Sequence, residues 1–432
     1  MRIEAPMQRT PSSRRSFLKG GLAAASTALV SRPAIAQGAA GRVIVVGGGF
    51  AGAACARELK RLDPKLMVYL IEANPTFIAC PFSNSVIAGL RELRAQQFNY
   101  EALGGLGIAV AFVAATKVDP QARTVALANG TLFPYDRLVL APGVDFRWGT
   151  PKGYDEAAAA RMPHAWKAGE QTLLLRRQLE AMEDGGLVAI AVPPNPIRCP
   201  TGAYERASLI AHYLKTRKPK SKLLILDAKD TFPKQRLFQA AWRELYPGLL
   251  EWIALSNDGK VDQVDPATNT LVTDFARHQA AVANVIPPQK AGRIAEIAGV
   301  ADRTGWCPID PVTFESPLQR NIHVIGDAAI SGAMAKSAFA AYSQAKACAA
   351  AVAKLLRGET PPPQKLINTC YSLVAPDYGI SIAGVYAPVN GHFIDVEGAG
   401  GTSPADAPPE FRAREASYAA AWFRTITGEV FG

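Results

Sequence analysis

The chain has 432 residues, of which 49% are hydrophobic and 19% charged. That is an ordinary globular balance with length for two or three domains, and it excludes a disordered or fibrous protein. Half of the formal net charge of +10 comes from residues 1–36; the remainder is mildly basic with its cations dispersed, so the chain carries no nucleic-acid signature.

Residues 1–36 read as an address. Arg14 and Arg15 precede Phe17 and Leu18, a weakly apolar stretch follows, and Ala34-Ile35-Ala36 forms a cleavage-site pattern. This resembles a twin-arginine export signal. The apolar stretch from Gly20 to Val30 is too short to span a bilayer, and no other stretch reaches that length. The expectation is therefore a periplasmic protein, exported folded, with no transmembrane anchor.

The first predicted strand, Val43 to Val46, runs into Gly47-x-Gly49-x-x-Gly52 and then an alanine-rich helix. Such glycines allow a tight turn and close approach of backbone to a pyrophosphate, and the helix N-terminus favours its charge. A second strand, "LMVYLIEA", places Glu72 about 20 residues past the last glycine, where an acid accepts hydrogen bonds from ribose hydroxyls. Two later strands complete the pattern. "YDRLVLAPGV" ends in Pro142-Gly143, and "NIHVIGDAAI" ends in Gly326-Asp327. In flavoproteins with two dinucleotide-type domains, the first returns the chain from the flavin domain and the second sets an Asp beside the ribitol and pyrophosphate.

Between them "LVAIAVPPNPIRCPTGAYERASLIAHYL" begins as another strand–turn–helix unit. Its turn has no glycine cradle. Pro193, Pro194, Pro196 and Pro200 lack the N–H donors a phosphate needs, and Cys199 stands in the turn. The unit keeps its architecture without the means to hold NAD. A cysteine before a helix N-terminus is expected to be a stabilised thiolate suited to thiol–disulfide chemistry. "RGETPPPQKL" (Arg357–Leu366) then breaks the chain before a tail too short for a third nucleotide domain.

The predicted fold is α/β. Two Rossmann-like dinucleotide-binding-type domains are joined by a small C-terminal α+β module. The FAD domain is discontinuous over 38–153 and 290–360, the NADH-like domain without a nucleotide site covers 154–289, and the C-terminal interface module covers 361–432.

Of six cysteines, Cys55 and Cys348 lie in small-residue helices and read as buried hydrophobes. There is no C-x-x-C pair, no C-x-x-C-H haem site and no Cys or His pair at zinc-ligand spacing, so no metal is expected. Cys80, in "FIACPFSNSVIAG", follows the second strand. It is open to three readings: a core residue, a redox partner or a point of covalent flavin attachment.

The stretches "RMPHAWKAGEQT", "RCPTGAYERAS", "NVIPPQKAGRIAEIAG", "GWCPIDPVTFES", "HVIGDAA" and "NTCYSLVAPDYGISIAGVY" name a family. The chain resembles the flavoprotein subunit of flavocytochrome c sulfide dehydrogenase, which is related to sulfide:quinone oxidoreductases and disulfide reductases. The resemblance implies FAD attached through Cys80 and a redox-active disulfide between Cys199 and Cys370, with Cys307 the rival partner for Cys199. It implies Glu205 as a nearby acid for proton handling. The FAD site would comprise Gly47, Gly49, Gly52, Glu72, Cys80, Gly143, Gly326 and Asp327. The expected activity is oxidation of hydrosulfide to sulfur or polysulfide, with electrons leaving through FAD to a c-type cytochrome docked on the C-terminal module. The alternative is the flavoprotein of a thiosulfate-oxidising system acting on a protein-bound sulfur species. "ACPFSN" around Cys80 departs from the bulkier family pattern.

Overall fold

In a computed structural model, the described residues are 41–432. The export-signal expectation, the first predicted domain boundary and the first residues of the FAD domain lie outside them.

A five-stranded parallel sheet forms the first layer, in the order Ile322–Val324, Arg137–Leu140, Arg42–Val46, Met67–Ile71, Ala109–Ala111. Its central strand, RVIVV, is β-branched at four of five positions and buried at those four, as a strand covered on both faces requires. The helix Phe50–Leu62 returns from it and packs on the helix Ala338–Leu356. Ala53, Ala54, Cys55, Ala345, Cys348 and Ala349 are all buried in the shared core. Small side chains there let the two backbones approach, and Cys55 and Cys348 lie within that packing.

The inserted unit carries a four-stranded parallel sheet, in the order Leu250–Ile253, Lys222–Asp227, Leu187–Val192, Val282–Val285. The helix Gly202–Arg217 follows its first strand. An antiparallel pair, Val144–Phe146 with Gln289–Ala291, joins the outgoing and returning chains between the two sheets. The C-terminal part is an antiparallel hairpin, Leu366–Ala375 with Tyr378–Val389, extended by His392–Asp395 and covered by the 23-residue helix Pro409–Phe431. Along Leu366–Ala375 the hairpin packs against the helices Gly202–Arg217 and Ala338–Leu356. Residues from all three parts therefore reach one cavity.

Among the described residues no helix is long and apolar enough to cross a membrane, and no group of three His, Cys, Asp or Glu side chains is placed to hold a metal ion.

Candidate functional site

A cavity of about 440 Å³ is lined at one place by Gly47, Gly48, Gly49 and Glu72 and at another by Cys80, Cys199, Glu205 and Cys370. Gly143, Gly326 and Asp327 line it as well. Gly52 supports it from behind.

The glycine loop is as tight as its sequence requires. Gly47 has φ +101°, and a Cβ there would lie 2.3 Å from the Ala141 carbonyl oxygen. A Cβ at Gly52 would lie 1.8 Å from the Gly47 carbonyl oxygen. Gly49 caps the helix Phe50–Leu62 with no side chain on the orphan N–H groups of its first turn. Glu72 accepts the Gly48 N–H at 2.7 Å and the Asn74 N–H at 3.0 Å, so it braces the loop as well as facing the cavity. Asp327 has a buried Oδ1 without a hydrogen-bond partner, and burial raises its pKa against the pull of Arg198 and Lys336. An acceptor held in this way beside a cavity suits a polyol or phosphate-bearing ligand with hydroxyl donors. A glycine cradle at a helix N-terminus, an acid at the second strand and an orphaned acid at the fourth fit FAD.

The sulfur end is built from two distant elements. Cys199 sits in the turn before the helix Gly202–Arg217 with φ +51°, a left-handed conformation a cysteine adopts only under constraint. Its N–H donates to the Lys336 carbonyl. Cys370 lies mid-strand on the hairpin. The two thiols are within hydrogen-bonding reach of each other and are not bonded. Cys370 Sγ also lies 3.2 Å from Thr201 Oγ1.

The polarity of the pair corrects the sequence-based expectation. Cys199 does not hold the stabilised thiolate: it stands before the cap residue Thr201, and the Cys370 hydrogen bond and burial raise its pKa. Cys370 is the sulfur pulled down, to about 5, by the Cys199 thiol against the cost of burial, with further help from Lys234, Thr201 and Ser372. Glu205 is raised to about 7, chiefly by burial, although it accepts the Leu373 N–H at 3.1 Å and an Asn84 amide N–H at 3.2 Å.

Cys80 faces the cavity and lies in hydrogen-bonding reach of the Arg198 guanidinium, which also sits 4.0 Å from Asp327. Cys307 is fully buried in a separate cluster with Val144, Ala291, Ile322 and Ala329 and does not line the cavity. Burial pushes its thiol up to about 12. The structure therefore brings Cys370, not Cys307, to Cys199.

Several residues at the site carry no local sequence signal. Arg206, 2% exposed, donates to the His164 and Ala165 carbonyls, to Asn84 Oδ1 and to Asn284 Oδ1, and stacks 5.0 Å from the Trp166 ring. It ties the Trp166 loop to the helix that carries Glu205. Lys234 donates to Ser372 Oγ at 2.8 Å and to the Cys370 carbonyl at 2.9 Å.

The turn of the inserted unit departs from a nucleotide site in a second way. Asp227 ends the second strand of its sheet, where a ribose-binding acid would stand. It is fully buried and accepts from Lys229 Nζ at 2.6 Å, Tyr204 Oη at 2.6 Å and Trp252 Nε1 at 2.9 Å. The protein's own groups occupy that acid.

Comparison with known proteins matches three family models to successive parts of the chain. Residues 41–172 match pyridine nucleotide-disulphide oxidoreductases. Residues 172–287 match the central part of the sulfide dehydrogenase (flavocytochrome c) flavoprotein chain, and residues 362–431 match the flavin-binding part of flavocytochrome c sulphide dehydrogenase. A sulfide dehydrogenase flavoprotein chain from Chlorobaculum thiosulfatiphilum is 56% identical over 45 residues, 10% of this chain and 94% of that one. Mitochondrial sulfide:quinone oxidoreductase of Mus musculus is 22% identical over 301 residues, 66% of this chain and 65% of that one. The solved sulfide:quinone oxidoreductase of Aquifex aeolicus shares the fold, with a TM-score of 0.69 and 19% identity over 90% of this chain and 92% of that one. The structure of putidaredoxin reductase in its covalent putidaredoxin complex does so at 0.64 and 17%, over 90% and 93%. With its cysteine turn, glycine cradle and C-terminal hairpin in one cavity, the chain belongs to the family of flavocytochrome c sulfide dehydrogenase flavoprotein chains.

Proposed function

We propose that the protein is an FAD-dependent sulfide dehydrogenase that oxidises hydrosulfide through a Cys199–Cys370 disulfide and delivers electrons to a periplasmic c-type cytochrome. The juxtaposition of Cys199 and Cys370 on the wall of the cavity that fits FAD carries this reading. FAD, when bound by Gly47, Gly49, Gly52, Glu72, Gly143, Gly326 and Asp327, supplies the acceptance of two electrons together and their release singly.

The protein's own residues do the sulfur chemistry. Hydrosulfide attacks Cys199 Sγ; a new S–S bond forms as the Cys199–Cys370 bond breaks, and the bonding pair leaves with Cys370 Sγ. Incoming sulfide is oxidised to the persulfide level and the disulfide is reduced. A leaving thiolate of low pKa departs faster, which favours Cys370 as the leaving sulfur. Glu205, beside the pair with a pKa near 7, takes the proton that hydrogen sulfide loses as it becomes hydrosulfide. No NAD enters, because the inserted unit lacks a phosphate cradle and spends its ribose-position acid on Lys229, Tyr204 and Trp252.

The base role of Glu205 sets a pH dependence. Its carboxylate form is required, so sulfide-dependent flavin reduction rises as pH increases through about 7. Glu205→Gln keeps the size and an acceptor for the Leu373 N–H, and is expected to lose that limb with a roughly hundredfold lower rate at pH 8. Stopped-flow rates from pH 5.5 to 9 measure this; a Glu205→Gln profile parallel to wild type would remove Glu205 from proton transfer.

Cys80 is proposed as the covalent anchor. Wild-type protein is expected to keep its yellow colour in an acid-precipitated pellet, and Cys80→Ser to release it to the supernatant. Release from both proteins would leave the flavin held without a bond. The choice of acceptor is tested by reoxidising the sulfide-reduced protein with a soluble c-type cytochrome or with a short-chain quinone; faster reoxidation by the quinone would overturn the cytochrome assignment.

A further inference from the structure

Behind Cys370, on the side away from the cavity lining, three polar side chains form a line. Lys234 Nζ donates to Ser372 Oγ at 2.8 Å, Ser372 Oγ donates to Thr201 Oγ1 at 3.3 Å, and Thr201 Oγ1 lies 3.2 Å from Cys370 Sγ. All three are buried: Lys234 is 7% exposed, Thr201 2% and Ser372 fully enclosed. The direction of the chain follows from donor counting. An ammonium can only donate, so Ser372 Oγ must accept from it. The single hydroxyl hydrogen of Ser372 then goes to Thr201 Oγ1, and the single hydrogen of Thr201 is left for the sulfur. Every link points its positive end toward Cys370.

Lys234 shows signs of being placed for this. Its backbone has φ +63°, which a lysine adopts at a cost and a glycine or asparagine would adopt freely. Among the described residues it makes no ion pair within 4.0 Å. A buried ammonium without a carboxylate partner is costly unless another negative charge appears beside it. Its remaining donors go to the Cys370 and Ile380 carbonyls, so it is anchored to the strand that carries the sulfur and leaves no donor for a ligand in the cavity.

We propose that Lys234, Ser372 and Thr201 form a polarised hydrogen-bond chain whose negative terminus is the Cys370 thiolate, and that these three are positioning residues fixing which sulfur of the pair carries the charge. This rests on the disulfide reading above and adds the groups that set its direction. The charged and titratable groups facing the pair come from every neighbouring element. Cys199 precedes the helix that bears Glu205, Lys234 precedes the helix Gln235–Leu245, and Tyr386 lies on the partner strand. Glu415 reaches Lys234 through its field from the C-terminal helix. Glu205 works against the thiolate; Lys234 is the ammonium among these groups and works for it.

The test uses the purified flavin-containing protein, reduced anaerobically with a phosphine. Iodoacetamide alkylation of Cys370 and Cys199 is followed by peptide mass spectrometry from pH 4 to 10. Wild type is expected to alkylate Cys370 with a midpoint near 5 and Cys199 only at much higher pH. Thr201→Val removes the last donor with little change of volume and is expected to raise the Cys370 midpoint by about one to two units, a roughly ten- to hundredfold loss of thiolate at low pH. Lys234→Met should do the same, and Thr201→Ser, which keeps the hydroxyl, should restore the wild-type midpoint. A merely structural role would not separate serine from valine in this way. A wild-type midpoint at the ordinary thiol value, or Thr201→Val and Lys234→Met midpoints equal to wild type, would overturn the chain. Sulfide added to the same wild-type sample separates the two ideas: absent flavin bleaching with the midpoints as expected defeats the sulfide reading and leaves the chain supported.

Discussion

Cys370→Ser is expected to retain its flavin and its visible spectrum while sulfide-dependent flavin reduction falls at least about a thousandfold. Serine is close to cysteine in size and keeps a donor and acceptor beside Thr201, so the cavity should survive. What is lost is the leaving sulfur: an alkoxide is far too basic to depart, and no disulfide exists to be attacked. Cys199→Ser is expected to give the same loss for the complementary reason, since no sulfur remains to carry the persulfide. The double variant should be no slower than either single one, because the two sulfurs act as a unit. Anaerobic stopped-flow absorption of the flavin band measures all three. Reduction within tenfold of wild type in either single variant would show that sulfide reaches the flavin without the pair.

Gly52→Ala is expected to empty the flavin site. Its methyl carbon would be placed 1.8 Å from the Gly47 carbonyl oxygen and 3.0 Å from the Gly47 carbonyl carbon, with the Ala141 side chain at 3.3 Å. These first contacts are backbone, so no side-chain rotation relieves them. The loop must move, and with it the Gly48 N–H that Glu72 holds. A displacement of that loop is expected to lower flavin affinity more than about a hundredfold, some 3 kcal/mol. The purified variant should show a ratio of visible to ultraviolet absorption below roughly a tenth of wild type, on the same affinity scale. Gly104→Ala, where an added Cβ meets nothing within 4 Å, is the control and should bind flavin normally. Full flavin content in Gly52→Ala would mean that the glycine loop does not cradle the cofactor.

The parts of the molecule written in the sequence are those whose physics is local. Gly47, Gly49 and Gly52 are legible because a tight strand-to-helix turn excludes any Cβ, and the strand RVIVV because β-branched runs fit a buried parallel sheet. The proline-rich turn before Cys199 is legible because missing N–H groups are a property of the residues themselves. The charge distribution at the site is not. Thr201 and Cys370 are 169 positions apart, and Lys234 lies 136 positions before Cys370. No spacing rule joins them, which is why a local helix-terminus argument put the thiolate on Cys199 while the folded surroundings put it on Cys370. Asp227 was silent for the same reason: only the fold shows Lys229, Tyr204 and Trp252 converging on one carboxylate. Arg206 reads in sequence as an ordinary helical surface residue, yet it is among the largest fully buried side chains.

The central claim is that sulfide reduces the flavin through the Cys199–Cys370 site. The most direct measurement adds sulfide to the anaerobic purified protein, follows the visible flavin band, and then adds an oxidised c-type cytochrome. Rapid bleaching, with the colour restored by the cytochrome, is the result predicted. A flavin that stays oxidised under excess sulfide would contradict it.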